Sequence, residues 1–446
     1  MSTTSTTNRR KPGTGSAIAD VLARQVLDSR GSPTLEVEIR LRSGARGHAA
    51  VPAGGSIGSW EPLESRDHDR RYRGRGVRHA VHVVRDEVAD AMRGSDAIDQ
   101  QAIDSLLIGL DGTLDRHRLG GNTLLGVSLA CARAAAAHTG VELWRYLARD
   151  RAHVLPVPMV TLLEGGAHTR SGLDIQELMI IPWKAETVAA ALDIAVRVYW
   201  SLGDLLDSKG ETTAVGDTGG LAPQLTSLDL ALELTEAAIE AAGYHPGDHV
   251  VLAIDAAATQ WRADGGYALN RDGVRFSREE LVERWVALLR RHPIVALEDP
   301  FAEDDHEGWS LLHASLGDRV QLIGDDLFVT NPALVRRGIE QQVANAVLIK
   351  PNQVGTLSET LRAITIAQEA GWGAIISHRS GETEDTTIAD LAVAAHVGQM
   401  KAGGPCRGER IAKYNRLLRI EEELGDEALY AGREPFTNCT SVPVRL

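Results

Sequence analysis

The chain has 446 residues, 43% of them hydrophobic and 24% charged, which is enough apolar material for an ample core spread over two domains. Its formal net charge of -14 at pH 7 repels nucleic-acid phosphates over most of the surface, and no Lys/Arg stripe interleaved with aromatics offsets this, so nucleic acid is not an expected partner. Cys131, Cys406 and Cys439 lack C-x-x-C or zinc-ligand spacing, which argues against a disulfide framework or zinc finger, and no run approaches the ~18 apolar residues of a membrane span.

In chain order, residues 1–16 (M-S-T-T-S-T-T-N-R-R-K-P-G-T-G-S) have no apolar signal-peptide core and read as a disordered tail on a cytoplasmic protein. From 17 to about 60 the pattern is strand-like. A-D-V-L-A-R-Q-V-L, T-L-E-V-E-I-R-L and A-R-G-H-A-A-V-P follow one another with R-G-S-P turning between the first two, which predicts an antiparallel meander. The arginines of D-H-D-R-R-Y-R-G-R-G-V-R (67–78) are mixed with acids and read as a solvated loop. From 77 to 149 the period turns helical, so residues 17–145 form an α+β domain, and L-P-V-P at 155–158 leads into a second domain over 150–446.

Beyond 158, short β-branched runs alternate with helical stretches such as S-L-D-L-A-L-E-L-T-E-A-A-I-E-A-A, a rhythm suited to a closed β/α barrel. The residues at the ends of those runs are Asp255, Glu298, Asp325, Lys350, His378 with Arg379, and Lys401. In a β/α barrel the C-terminal ends of the strands converge on one face, so these side chains are expected around a single mouth. One carboxylate after a strand is commonly a helix cap, but three in succession followed by cations are the hard-oxygen set that suits Mg²⁺. A metal beside a lysine points to abstraction of a proton α to a carboxylate, with Lys350 as a base of depressed pKa, and a guanidinium at Arg379 suits a phosphate clamp.

The segments D-S-R-G-S-P-T (28–34), L-D-G-T (110–113), Q-E-L-M-I-I-P (176–182), L-E-D-P-F-A-E-D-D (297–305), G-D-D-L-F-V-T-N-P (324–332), V-L-I-K-P-N-Q-V-G-T-L-S-E (347–359), S-H-R-S-G-E-T-E-D (377–385) and G-Q-M-K-A-G resemble the enolase family over nearly all the chain after residue 17. The resemblance implies an α/β protein: a small N-terminal α+β domain followed by an enolase-type (β/α)₈ barrel with an unusual start, assembled as a homodimer or higher homo-oligomer. It implies Mg²⁺ on Asp255, Glu298 and Asp325, with a second ion near Ser56 and the substrate phosphate. It makes Lys350 the base, puts Lys401 on the substrate carboxylate, and gives the phosphate to Arg379 and Ser380. His168, Gln176, Glu177 and His378 line the pocket by the same analogy.

The chain departs from the family pattern where the leaving group is handled. The frame G-D-x-G-G, which carries the family's general-acid glutamate at x, has Thr218 here, and a hydroxyl cannot serve as a carboxylic acid near neutral pH. Losing a positioned acid removes ~10² to 10⁴-fold of rate. The family's N-G-G-S-H-A-G-N becomes E-G-G-A-H-T-R-S (164–171), adding Glu164 and Arg170, and the first loop reads A-G-G-S-I-G followed by S-W-E-P, introducing Trp60. The main expectation is an enzyme that forms or stabilises the ene-diolate of 2-phosphoglycerate or a close analogue, with altered leaving-group chemistry and Glu177 standing in as acid. A second is an enolase-like enzyme of phosphonate biosynthesis, similar to a carboxyphosphonoenolpyruvate synthase, in which Arg170 receives an additional anionic group and Trp60 stacks on an activated donor. A third is an inactive enolase-like binding protein.

Overall fold

The computed structural model describes residues 15–55, 58–148 and 153–436. Of the expected tail, residues 1–14 lie outside this set; Ser16 is buried, and its carbonyl accepts from Ala97 N at 3.1 Å. The predicted meander forms as β1 (Ile18–Leu27), β2 (Pro33–Leu41) and β3 (Arg46–Ala50), antiparallel in that order. Its period-two pattern does what the alternation requires: Leu35, Val37 and Ile39 are buried, while Glu36, Glu38 and Arg40 lie on the wetter face. The turn between β1 and β2 is held by Asp28, whose Oδ1 accepts from Arg30 N and Ser32 N at 2.9 and 2.8 Å.

The Ala-rich segment forms the helix Gly121–Thr139, which packs across β2 and β3. Small residues allow a close approach there: a Cβ on Gly47 would lie 2.1 Å from Ala134 N. The segment from 78 is also helical, with Arg78–Val83 and Ala89–Met92 joined through a π-helical turn, Val84–Val88.

The second half closes into an eight-stranded barrel: β4 (Val157–Glu164), β5 (Glu177–Ile181), β6 (Val251–Asp255), β7 (Ile294–Glu298), β8 (Gln321–Gly324), β9 (Ala346–Ile349), β10 (Gly373–Ser377) and β11 (Gln399–Gly403), with β11 returning to β4. This is the expected architecture, including an irregular start. β5 follows β4 with only a short 3₁₀ turn, Gly166–His168, between them and is antiparallel to both β4 and β6, whereas the remaining pairs are parallel. Two helices, Val188–Ser208 and Leu228–Ala241, then carry the chain back to β6. The second is the predicted amphipathic stretch, capped by Ser227, whose hydroxyl accepts from Leu230 N at 3.3 Å.

The barrel interior is a packed core, not a channel. Val157, Met159, Met179, Ile181, Val251, Ala253, Val295, Ile323, Leu348 and Ile375 fill it, and Trp183 with Phe436, edge to face at 6.0 Å, joins the same cluster. Gln321 and Gln399, on strands that are not neighbours, exchange amide hydrogen bonds of 2.9 and 2.8 Å. With the interior filled in this way, the polar strand ends are left to the opposite face.

Candidate active site

Strand register places the acids. Glu164 at the end of β4 is opposite Glu177 at the start of β5, Glu177 is opposite Asp255 at the end of β6, and Asp255 is opposite Glu298 at the end of β7. Four carboxylates thus form a row across four neighbouring strands, all of them buried. The row exists because β5 runs backwards: only an antiparallel strand brings its first residue, Glu177, to the mouth where the other strands end.

Such a row is unstable without cations. Lys401, from β11, supplies one: its Nζ lies 2.9 Å from Asp255, 2.7 Å from Glu298 and 2.9 Å from Glu177. Lys350, directly after β9, is hydrogen-bonded to Asp325, directly after β8. The three predicted metal carboxylates and both lysines therefore share one mouth. The expectation of a depressed pKa for Lys350 is corrected: burial, the largest single influence, pushes it down, but the Asp325 and Glu298 carboxylates together turn the net shift upward. Burial likewise opposes the charge on Glu177, yet Lys401 and His168 bring its pKa well below the ordinary value. A carboxylate so held is a poor proton donor, contrary to the expectation that Glu177 stands in as acid.

Arg379 and Ser380 follow β10. The Arg379 guanidinium is fully buried and grips Glu61 from the first loop, with Nη1 donating to Oε2 at 2.9 Å and Nη2 to Oε1 at 3.1 Å, while Nη1 also reaches Asn352 Oδ1 at 3.1 Å. The expected phosphate clamp thus holds the chain's own carboxylate. Ser380 Oγ accepts from Arg30 at 3.3 Å. Behind them Arg410, wholly buried, donates to the carbonyls of Arg379 and Ser380 at 2.6 Å each, to Asp217 O at 3.0 Å, and to His378 Nδ1 at 2.7 Å. Because a guanidinium only donates, His378 Nδ1 must accept, which leaves its proton on Nε2, 3.8 Å from Glu177. Burial first, and then the Arg410 charge, push the His378 pKa well below the usual imidazole range and keep the ring neutral.

The enolase C-terminal TIM barrel domain model matches residues 152–439 and the enolase N-terminal domain model matches residues 18–147. The chain belongs to the enolase family. Thr218 is fully buried, and its hydroxyl donates to Glu177 Oε1 at 2.8 Å. His168 Nδ1 is 3.5 Å from the same oxygen. Gln176 donates to Asp255 Oδ2 at 3.2 Å and is itself held by Gln260 at 3.0 Å. Ser56 lies outside the described residues. Arg170 is exposed, its carbonyl taken by Gln224 at 3.2 Å, and it is not one of the described residues that line the mouth or the two larger cavities beside Ser380 and Trp60.

The donor set fits the family's Mg²⁺. Asp255, Glu298 and Asp325 offer the hard carboxylate oxygens that Mg²⁺ prefers, and Glu298 Oε1 is buried with no hydrogen-bond partner among the described residues, as an oxygen turned to an ion would be. Sequence reasoning missed Asp299 and Asp326, the second acids of L-E-D-P and G-D-D: with Asp325 they present oxygens within 4.8 Å of one another. Asp299 also fixes the β8 end, accepting from Asp325 N and Asp326 N at 2.9 Å each. Arg410 and Glu61 were missed too. Neither follows a strand, so only the doubled acids and the loop glutamate carried any signal in the sequence.

Free space among these side chains amounts to about 30 Å³, roughly one water. Beside it opens a larger cavity of about 630 Å³, sharing His168 and Ser380 with it and lined also by Glu61, Arg30, Arg66, His68, Arg73 and Arg75. All five arginines of 67–78 are exposed, as a solvated loop requires, but Arg73 and Arg75 also face this cavity, and His68, Tyr72 and Arg73 hold left-handed φ values of 52°, 49° and 55°. Trp60, 71% exposed, borders a separate cavity of about 430 Å³ with His306, Phe328 and Arg337.

Proposed function

We propose that this chain is a Mg²⁺-dependent enolase-family enzyme that stabilises the ene-diolate of 2-phosphoglycerate or a close analogue and forms an enolpyruvate product, with leaving-group chemistry that differs from ordinary dehydration. The reading rests on one observation: Lys401 spanning Asp255 and Glu298, with Lys350 on Asp325 beside it, at the same mouth as Arg379. Asp255, Glu298 and Asp325 are the residues that would hold Mg²⁺, which when bound lowers the cost of a second negative charge on the substrate carboxylate. Lys401 orients that carboxylate, and Arg379 takes the phosphate once Glu61 withdraws. Lys350 accepts the C2 proton at Nζ as the neutral amine, after its ion pair with Asp325 is broken and its own proton has passed to solvent. Thr218 and neutral His378 hold Glu177 by hydrogen bonding and dipole, and neither is an acid strong enough to expel hydroxide at neutral pH.

The test separates proton removal from elimination. In D₂O with Mg²⁺ and 2-phosphoglycerate, exchange at C2 followed by NMR is expected to outrun phosphoenolpyruvate formation followed by absorbance, by a factor within the ~10² to 10⁴ attributed to a missing general acid. Lys350→Ala is expected to abolish the exchange. No exchange in the unaltered chain with saturating Mg²⁺ would refute the proposal.

The basic wall of the larger cavity favours a second reading, an enzyme of phosphonate biosynthesis similar to a carboxyphosphonoenolpyruvate synthase. A substrate with an additional phosphonate or phosphate would find Arg30, Arg73 and Arg75 next to Ser380, a better-placed set than Arg170. Assembly as a homodimer or larger homo-oligomer belongs to the same family-based proposal. Binding of a bis-anionic analogue far more tightly than 2-phosphoglycerate, with that preference lost in Arg73→Ala/Arg75→Ala, is the outcome that would select this second reading.

A further inference from the structure

The two departures from the enolase pattern nearest the missing acid touch each other. By the motif resemblance drawn from the sequence, Thr218 falls where the family frame is expected to carry glutamate, and Glu164 where the family loop is expected to carry asparagine. Glu164 Oε1 accepts from Thr218 N at 2.9 Å and from Gly220 N at 2.6 Å, so this one oxygen binds both sides of the 218–220 turn. The turn is tightly constrained: Gly219 has a φ of +95°, which disfavours a side chain there, and a Cβ on Gly404 would lie 2.1 Å from the Gly219 carbonyl oxygen. The other oxygen, Glu164 Oε2, is buried with no hydrogen-bond partner, and a Cβ on Gly216 would lie 2.3 Å from it. The carboxyl group therefore fills the space beneath the frame.

Glu164 has no ion-pair partner among the described residues, unlike Glu177, which sits opposite it in the β4–β5 register and has Lys401 and two histidines nearby. Burial, and then the Glu177 charge, push the Glu164 pKa upward. Two like charges directly opposite on paired strands repel. A third carboxyl at 218 would join the same buried cluster with no additional cation to meet it.

We propose that Glu164 and Thr218 are an exchanged pair: the carboxyl that enolases carry on the loop sits here on the neighbouring strand end, where Glu164 is the positioning residue that sets the 218–220 turn and so aims the Thr218 hydroxyl at Glu177. The inference rests on membership of the enolase family and on the chemistry proposed above. It implies that Thr218→Glu alone does not restore an ordinary enolase, because the displaced carboxyl is still in place.

The test is a double-mutant cycle on the full chain with Thr218→Glu, Glu164→Asn and the pair, read first by thermal unfolding, which requires no turnover. Each single change is expected to lower Tm, and the pair is expected to lie at least ~3 °C above the sum of the two single shifts. The second reading is kcat for phosphoenolpyruvate formation with Mg²⁺, expected to rise at least ~10-fold in the pair over Thr218→Glu at a KM unchanged within about twofold. Glu164→Gln, which keeps the accepting oxygen, is expected to retain the unaltered chain's Tm within ~1 °C, whereas Glu164→Ala loses it. If Thr218→Glu fails to fold, Glu164→Gln/Thr218→Glu is compared with it directly, and recovery of a folded chain supports the exchange. Additive Tm shifts, a Glu164→Ala chain as stable as the unaltered one, or a Glu164→Gln/Thr218→Glu chain no more stable than Thr218→Glu would each overturn the pairing. Coupling without any phosphoenolpyruvate or C2 exchange would count against the proposed chemistry alone.

Discussion

At the scale of single residues, what decides the state of the site is which charge each group meets. Glu61 occupies both Nη atoms of Arg379, so an incoming phosphate competes with a buried carboxylate already paired there. Glu61→Gln removes the charge but keeps much of the shape, and phosphate affinity measured by calorimetry without Mg²⁺ is expected to rise about tenfold. Asp272 shows the converse, an acid with too little compensation. Burial, and then the neighbouring Asp174 charge, push it up to about 6, and its Oδ1 is buried without a partner. Between the ordinary aspartate value of 3.8 and about 6 the folded chain holds a proton that the unfolded chain has lost, so stability falls as pH rises through this window. Asp272→Asn is therefore expected to leave Tm unchanged near pH 3.5 and to raise stability at pH 7 by ~1 to 2 kcal/mol, after allowing for solvent screening of a half-buried group.

At the scale of elements, the orientation of β5 is the consequential feature. Reversing one strand brings Glu177 into line with Glu164 and Asp255, and the fourfold carboxylate row then requires Lys401 to sit at its centre. The N-terminal sheet shows how small residues set distances between elements. The helix Gly121–Thr139 lies so near β3 that a side chain at 47 meets Ala130 O and Ala134 N. Gly47→Ala is expected to force the helix away from the sheet and cost ~1 to 3 kcal/mol in urea unfolding, an overpacking effect absent from exposed glycines such as Gly109 with nothing near their Cβ positions.

At the scale of the whole molecule, two domains face one mouth. Glu61 and Arg30 come from the N-terminal half, and Arg379, Ser380 and the lysines come from the barrel. Divalent ions are expected to matter for stability as well as chemistry, since the buried carboxylates outnumber the cations among them. Mg²⁺ at 100 times its Kd should stabilise the folded chain by about 2.7 kcal/mol and raise Tm by ~3 °C, and Glu298→Gln should remove most of that rise in a thermal scan. An equal rise in both chains would show that the ion acts elsewhere.

Much of this architecture was legible in the sequence. The alternation in T-L-E-V-E-I-R-L dictates a half-buried strand, the Ala-rich run dictates a buried helix, and the polar residues ending successive β-branched runs mark the mouth, because backbone periodicity and strand-end convergence are local rules applied many times. The motifs likewise carried the family. Pairing was not legible. Nothing in the order of residues says that Arg379 closes on Glu61, that Arg410 fixes the tautomer of His378, that Lys350 keeps its proton on Asp325, or that Glu164 lies beneath Thr218. Those outcomes depend on distances between segments remote in the chain, and electrostatic and hydrogen-bond energies change steeply over the few ångströms that only the folded arrangement sets.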